Sequence, residues 1–97
     1  MEYQLIDNEK AKQYEFHIEG VITKIEYIKA QSKIYLTHTE VPKKLEGRGI
    51  GSSLVKMALE DIKKKELILV PLCPFVALYI KRHPEWNELV LKGINII

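Results

Sequence analysis

The sequence has very little cysteine and no long apolar run, and both absences narrow the class of protein. Cys73 is the only cysteine among 97 residues, so the chain can form neither an internal disulfide nor a cysteine zinc site. The longest stretch without a charged residue, 67–80, contains two prolines and is shorter than the roughly 20 residues of a membrane-spanning helix. The N-terminal residues are too polar and acidic for a signal peptide. We therefore expect a cytoplasmic protein without a membrane association.

Neither sign of charge is in large excess. Fifteen Lys and Arg residues stand against thirteen Asp and Glu residues, which leaves a formal net charge of +2. Domains dedicated to nucleic acids carry a clustered basic excess, so we do not expect a nucleic-acid partner. The three histidines lack the spacing of metal ligands, and we expect no metal site.

The hydrophobic patterns predict one mixed α+β domain over residues 1–97, since no repeat or linker divides the chain. Its composition is compatible with a monomer but does not define the oligomeric state. Before Pro42, apolar residues recur with a period of two, which is typical of half-buried strands. The expected strands are 3–6, 14–18, 21–28 and 34–41, with turns at 19–20 and 30–33.

After Pro42 the pattern changes to helical spacing. Apolar residues from Ile50 to Ile62 predict a helix that begins near Ser52 and ends at Lys63–Lys65. The apolar run Leu67–Val70 predicts a strand that is buried on both faces and parallel to the 34–41 strand. A second, short helix is expected at 75–83, and a last strand or ordered tail at 87–97.

Three alternating glycines, Gly47, Gly49 and Gly51, lie between the 34–41 strand and the first helix. Glycines let a backbone approach an anion and turn N–H groups toward it, and the helix N-terminus adds the positive end of its dipole. The spacing is therefore compatible with phosphate binding. A flexible connection with tight turns explains it equally well. The loop has neither the Gly-Lys-Ser/Thr ending of a P-loop nor the position of a dinucleotide-binding GxGxxG.

The stretch Glu46-Gly47-Arg48-Gly49-Ile50-Gly51 resembles motif A of the GNAT superfamily of N-acetyltransferases, whose pattern is Q/R-x-x-G-x-G/A. The resemblance implies that the preceding strand pairs with the pantetheine arm of acetyl-CoA and that the loop amides hold its pyrophosphate. Glu46 stands where the family usually has Gln or Arg, so its backbone N–H is the group expected to contribute. Arg48 can supply a positive charge at the edge of this loop. The residues that the resemblance assigns to donor binding are Thr39, Val41, Glu46, Gly47, Arg48, Gly49, Ile50, Gly51 and Ser52.

Residues 38–42 and 72–86 are similar to a subgroup of very small stand-alone GNAT-like proteins, which carry HT-x-V-P and C-P-x-V-x-x-Y…H-P-E segments. The resemblance implies a minimal GNAT-like fold, with a mostly antiparallel sheet, a glycine-loop helix and a second short helix. The two helices that usually follow the first strand have no room between Ile6 and Gln13. Because those helices often form part of the acceptor site, the amine acceptor stays unidentified.

Tyr79 and Cys73 are two candidates for chemistry. Tyr79 matches the tyrosine that often protonates the leaving CoA thiolate in the superfamily, and a phenol suits that proton transfer. The alternative is a tyrosine that covers the core. The resemblance places Cys73 beside the acetyl thioester, where it could act as a nucleophile or an acid. A lone cysteine on an apolar segment is more often a small core residue.

His38 and Glu40 are candidates for the general base, because strict alternation puts both on one strand face. The same alternation aligns them with Ile34 and Leu36, so a packed histidine is the alternative.

Together these features predict an acetyl-CoA-dependent N-acetyltransferase that acts on a primary amine by direct attack. One alternative is a module that binds acetyl-CoA or CoA without turnover. Another is a nucleic-acid or protein interaction domain that uses the lysines at 43–44 and 63–65.

Overall fold

The computed structural model describes residues 3–93, in which five strands form one sheet in the order β1-β2-β3-β4-β5. The strands are β1 (Ile6–Asn8), β2 (Gln13–Ile18), β3 (Val21–Ala30), β4 (Lys33–Glu40) and β5 (Ile68–Pro71). Helix α1 (Ile50–Lys64) follows β4, and helix α2 (Pro74–Arg82) follows β5. Single 3₁₀ segments cover Lys43–Leu45 and Pro84–Leu89. The predicted α+β order is confirmed. Residues 94–97 of the predicted last strand or tail lie outside the described residues.

Strands β1 to β4 pair in antiparallel fashion, and β5 joins β4 in parallel. The parallel arrangement is the predicted one, since a helix separates the two strands along the chain. The β2–β3 turn is the predicted two-residue hairpin, with φ of 52° at Glu19 and 81° at Gly20. The first strand was predicted at 3–6 and that position is wrong, because the residues that pair with β2 are Ile6–Asn8.

The core lies between the sheet and the two helices. The apolar residues at helical spacing in α1 are fully buried, among them Leu54, Ala58 and Ile62. They pack in one cluster with Phe16 of β2 and Ile80 of α2. Helix α1 begins at Ile50 rather than at Ser52, because Gly49 forms its N-cap in the left-handed conformation. Neither helix within residues 3–93 has the length and apolar character needed to cross a bilayer.

A bulge in β4 changes the direction of its side chains. Tyr27 pairs with Leu36, whereas Glu26 pairs with His38, so one extra residue stands between the two pairs in β4. An extra residue shifts the alternation by one position. His38 and Glu40 therefore share a face, as predicted, but not the face of Leu36. Their predicted alignment with the core residues of β4 is wrong.

The sheet face away from the helices contains a buried carboxylate. Alternation predicts that Glu15 faces water, yet Glu15 is only 3% exposed. Its carboxylate accepts hydrogen bonds from the amides of Asn8 and Gln13 and lies 2.7 Å from Nε2 of His17. These three side chains cover the carboxylate and replace the water that it would otherwise bind. Burial disfavours the charged form, but the hydrogen bonds from His17 and the two amides outweigh burial and lower the pKa of Glu15.

A polar cluster ties the C-terminal end of α1 to the sheet. The hydroxyl of Tyr14 donates to Asp61 at 2.8 Å, and the hydroxyl of Tyr27 donates to Asp7. Lys65 Nζ lies 2.8 Å from a carboxylate oxygen of each aspartate. Partial burial disfavours the charged Asp7 carboxylate, but hydrogen bonds from Lys65 and Tyr27 outweigh that effect and lower the pKa of Asp7 below 3.8. The unfolded chain therefore binds a proton at Asp7 more readily than the folded protein does.

We expect this cluster to make stability pH-dependent in the acid range. The Asp7 contribution is complete above pH 3.8 and is lost as the pH falls through the lowered pKa of the folded state. Asp7→Asn should lower the free energy of unfolding by about 1 to 2 kcal/mol at pH 7 and by much less at pH 2.5. Urea denaturation at both pH values measures the two differences. Glu9→Gln, at an exposed residue, is the control, and equal losses for Asp7→Asn at both pH values would contradict the expectation.

Candidate functional site

A cleft of about 480 Å³ opens where β4 ends and α1 begins, a volume within the usual range for small-molecule sites. β5 pairs only with Lys33–Leu36, so the remainder of β4 has no neighbouring strand on that side. The cleft is lined by the end of β4, by the glycine loop with the first turn of α1, and by Phe75 of α2. All residues that the sequence assigns to donor binding line this cleft, with the exception of Arg48.

The glycine loop presents its backbone to the cleft. Gly47 and Gly49 have φ of 79° and 74°, which residues with a side chain adopt only at a cost. No side chain caps the first turn of α1 at Gly49. Because the first N–H groups of a helix have no partner within the helix, they are available to an anion. This geometry fits a phosphate group, as the glycine spacing predicts.

Gly51 lets α2 approach the first turn of α1. A Cβ atom at Gly51 would lie 2.9 Å from Cζ of Phe75 and 3.1 Å from Cγ2 of Val41. The bare backbone at Gly51 thus accommodates the Phe75 ring, and the ring closes one side of the cleft. Phe75 and Leu45 also line the cleft, although the sequence motifs do not include them. Leu45 is an isolated apolar residue in a charged loop, and this pattern is the sequence signal that could have identified it. Its side chain is fully buried.

Two of the three cations in residues 43–48 contact the β2–β3 turn. Arg48 Nη2 lies 2.7 Å from Oε2 of Glu19, and Lys44 Nζ donates to the backbone carbonyl of Glu19 at 2.8 Å. Neither cation lines the cleft. The hydrogen bond from Arg48 and the positive charge of its guanidinium also lower the pKa of Glu19.

His38 and Glu40 lie at the rim of the cleft. Their side chains are 58% and 59% exposed, and Nε2 of His38 is 3.8 Å from Oε1 of Glu40. This exposure excludes the packed-histidine alternative. Both side chains are accessible to a molecule that approaches from the open face of the sheet.

Cys73 and Tyr79 lie beside the cleft but do not line it. Cys73 is 3% exposed and belongs to the core, and its Sγ is 3.2 Å from Oγ1 of Thr39, which does line the cleft. Tyr79 lines a smaller hollow of about 130 Å³, which shares Ser52 and Phe75 with the cleft. Its ring stacks on His83 with the centroids 4.1 Å apart.

The hydroxyl of Tyr79 is protonated at neutral pH. Partial burial raises its pKa above 10, and the charges of Glu85 and Glu60 raise it further. The group can therefore donate a proton but is a poor base. Across residues 3–93, no three His, Cys, Asp or Glu side chains are grouped as metal ligands.

Comparison with known proteins gives a family match over most of the chain. A family model described as GCN5-related N-acetyl-transferase matches residues 13–89. The chain is 29% identical to Protein NATD1 of Xenopus tropicalis over 79 residues, which are 77% of this chain and 72% of that protein. It is 29% identical to Protein NATD1 of Gallus gallus over 85 residues, or 84% and 76% of the two chains. Over 49 residues it is 39% identical to Protein NATD1 of Homo sapiens, covering 50% and 43% of the two chains.

The contact at Gly51 predicts a specific packing defect. Gly51→Ala should lower the free energy of unfolding by about 0.5 to 1 kcal/mol, because the new methyl group overlaps the end of the half-exposed Phe75 ring and the ring must turn aside. Thermal or urea denaturation measures the loss. Phe75→Leu removes the overlapping ring atoms and should reduce the loss when the two substitutions are combined. If Gly51→Ala costs as much in the Phe75→Leu background, the contact is not the cause.

Proposed function

Since the chain belongs to the GCN5-related N-acetyltransferase family, we propose that it transfers an acetyl group from acetyl-CoA to a primary amine. The observation that carries the proposal is the cleft in which the edge of β4 and the exposed amides of the glycine loop meet. In the proposal, the pyrophosphate of the donor binds the backbone of residues 47–52. The pantetheine arm extends along the unpaired edge of β4 at Thr39 and Val41.

The proposed reaction is a direct attack. The amine nitrogen adds to the thioester carbonyl carbon, the C–S bond then breaks, and CoA leaves as a thiolate that takes up a proton. The nitrogen loses a proton to His38 or Glu40, directly or through a water molecule. Much of the acceleration comes from holding the two reactants together and from a strand N–H that polarises the carbonyl.

Tyr79 is the proposed proton donor to the thiolate. Its protonated hydroxyl suits this role, and its hollow adjoins the cleft at Ser52 and Phe75. Cys73 is proposed as a core residue rather than a nucleophile, because its thiol is buried and in contact with Thr39. The acceptor therefore attacks the donor thioester itself, and no acetyl-cysteine forms.

A module that binds acetyl-CoA without turnover is the second candidate. The observation that favours it is that neither Tyr79 nor Cys73 lines the cleft. Steady release of CoA with any primary amine distinguishes an enzyme from such a module, which would bind the donor and release no CoA.

The first prediction of the proposed function concerns the donor. Gly49→Ala adds a methyl group at a cleft residue with φ of 74°, so it should obstruct the phosphates and weaken acetyl-CoA binding at least about tenfold. Isothermal titration calorimetry measures the Kd, and backbone amide shifts should cluster at residues 46–53. Gly93→Ala is the matched control, because Gly93 also has a positive φ but lies outside the cleft. Equal Kd values for both variants would count against donor binding at this loop.

The second prediction concerns the leaving group. Tyr79→Phe should lower kcat by about 10²- to 10⁴-fold while the Kd of acetyl-CoA stays nearly unchanged, since only the acidic proton is removed. Tyr35→Phe, in β4 and outside the cleft, should leave both values unchanged. An unchanged kcat in Tyr79→Phe, with an acceptor that responds to concentration, would assign Tyr79 to packing alone.

A further inference from the structure

Two cations beside the glycine loop bind one residue in a distant turn of the chain, Glu19. The Glu19 carboxylate binds Arg48, which stands between Gly47 and Gly49, and its carbonyl binds Lys44, which lies just before the loop. The two contacts thus hold the loop on both sides of Gly47. Because Glu19 lies in a two-residue turn of the sheet, its position is fixed by the β2–β3 hairpin.

The direction in which the side chains of Lys44 and Arg48 point indicates whether the loop uses them to bind phosphates. A loop that used side-chain charge to bind phosphates would aim its lysine and arginine at the cleft. Here Lys44 and Arg48 both point toward Glu19 and line no part of the cleft, whereas Glu46 and the glycines do. The loop therefore offers backbone N–H groups to the cleft, and its cations are used to fix the backbone.

From this geometry we infer that Glu19 is a positioning residue, which holds the glycine loop in its binding conformation through Arg48 and Lys44. The effect on acetyl-CoA rests on the function proposed above. A glycine-rich loop loses more conformational entropy on ordering than other sequences do. An anchor that orders the loop before the ligand arrives reduces this loss and strengthens binding.

Reversing the charges separates this role from direct phosphate binding by Arg48. If Glu19 positions the loop, Glu19→Arg and Arg48→Glu should each raise the Kd of acetyl-CoA about two- to fivefold, as expected for an exposed ion pair. The double variant should return most of the way to the native Kd, because it restores the pair in reverse. If Arg48 instead binds phosphate and Glu19 competes for it, Glu19→Arg should lower the Kd and the double variant should show no rescue. That result would overturn the inference.

Hydrogen exchange without ligand tests the anchor independently of the proposed function. The amides of residues 47–51 should exchange faster in Glu19→Arg and in Arg48→Glu, and at the native rate in the double variant. Glu88→Arg is the matched control, because it breaks the exposed pair Lys63–Glu88 away from the cleft. Native exchange rates in both single variants would overturn the anchor itself. Failure of the native protein to bind acetyl-CoA would instead overturn the proposed function, while the exchange rates still decide the role of Glu19.

Discussion

The parallel pairing of β4 with β5 stops at Leu36, and the cleft at the end of β4 depends on that early end. β5 closes with Pro71, which has no N–H to donate to a ladder. The last backbone hydrogen bond between β4 and the chain that follows β5 is the one that Cys73 N donates to the carbonyl of Leu36 at 2.9 Å. Pro74 then begins α2 and carries the chain away from the sheet. One edge of β4 is left open, and the cleft forms along it.

Helix α1 is fixed at both ends by contacts with other elements, and these contacts hold its first turn in place beside the cleft. At its C-terminal end, Asp61 and Lys65 join the helix to the sheet through two tyrosines and Asp7. At its N-terminal end, Gly51 packs against Phe75, so α2 and the glycine loop meet without an intervening side chain. The loop that precedes α1 carries the positive-φ glycines, Gly47 and Gly49.

The two parts of the cleft, at the glycine loop and at the end of β4, differ in how they are built. The part of the cleft at the glycine loop is built from backbone and from Leu45, whose side chain is fully buried in the core. The other part contains His38 and Glu40, which lie on an open sheet face. A bulge of one residue places them there, because it reverses the alternation beyond Leu36. Both side chains are therefore accessible from the side of the sheet that neither helix covers.

The sequence by itself determined the order of strands and helices, the parallel placement of β5 and the glycine turn between β2 and β3. These properties follow from short-range chemistry: period-two and helical spacing of apolar residues, and the backbone freedom of glycine. Only the tertiary structure decided which way His38 points, that Glu15 is buried and that Arg48 turns to Glu19 instead of the cleft. Each of these depends on a partner in another strand or loop. A local pattern cannot report the register of β3 and β4, the amides around Glu15, or a turn 29 residues away from Arg48.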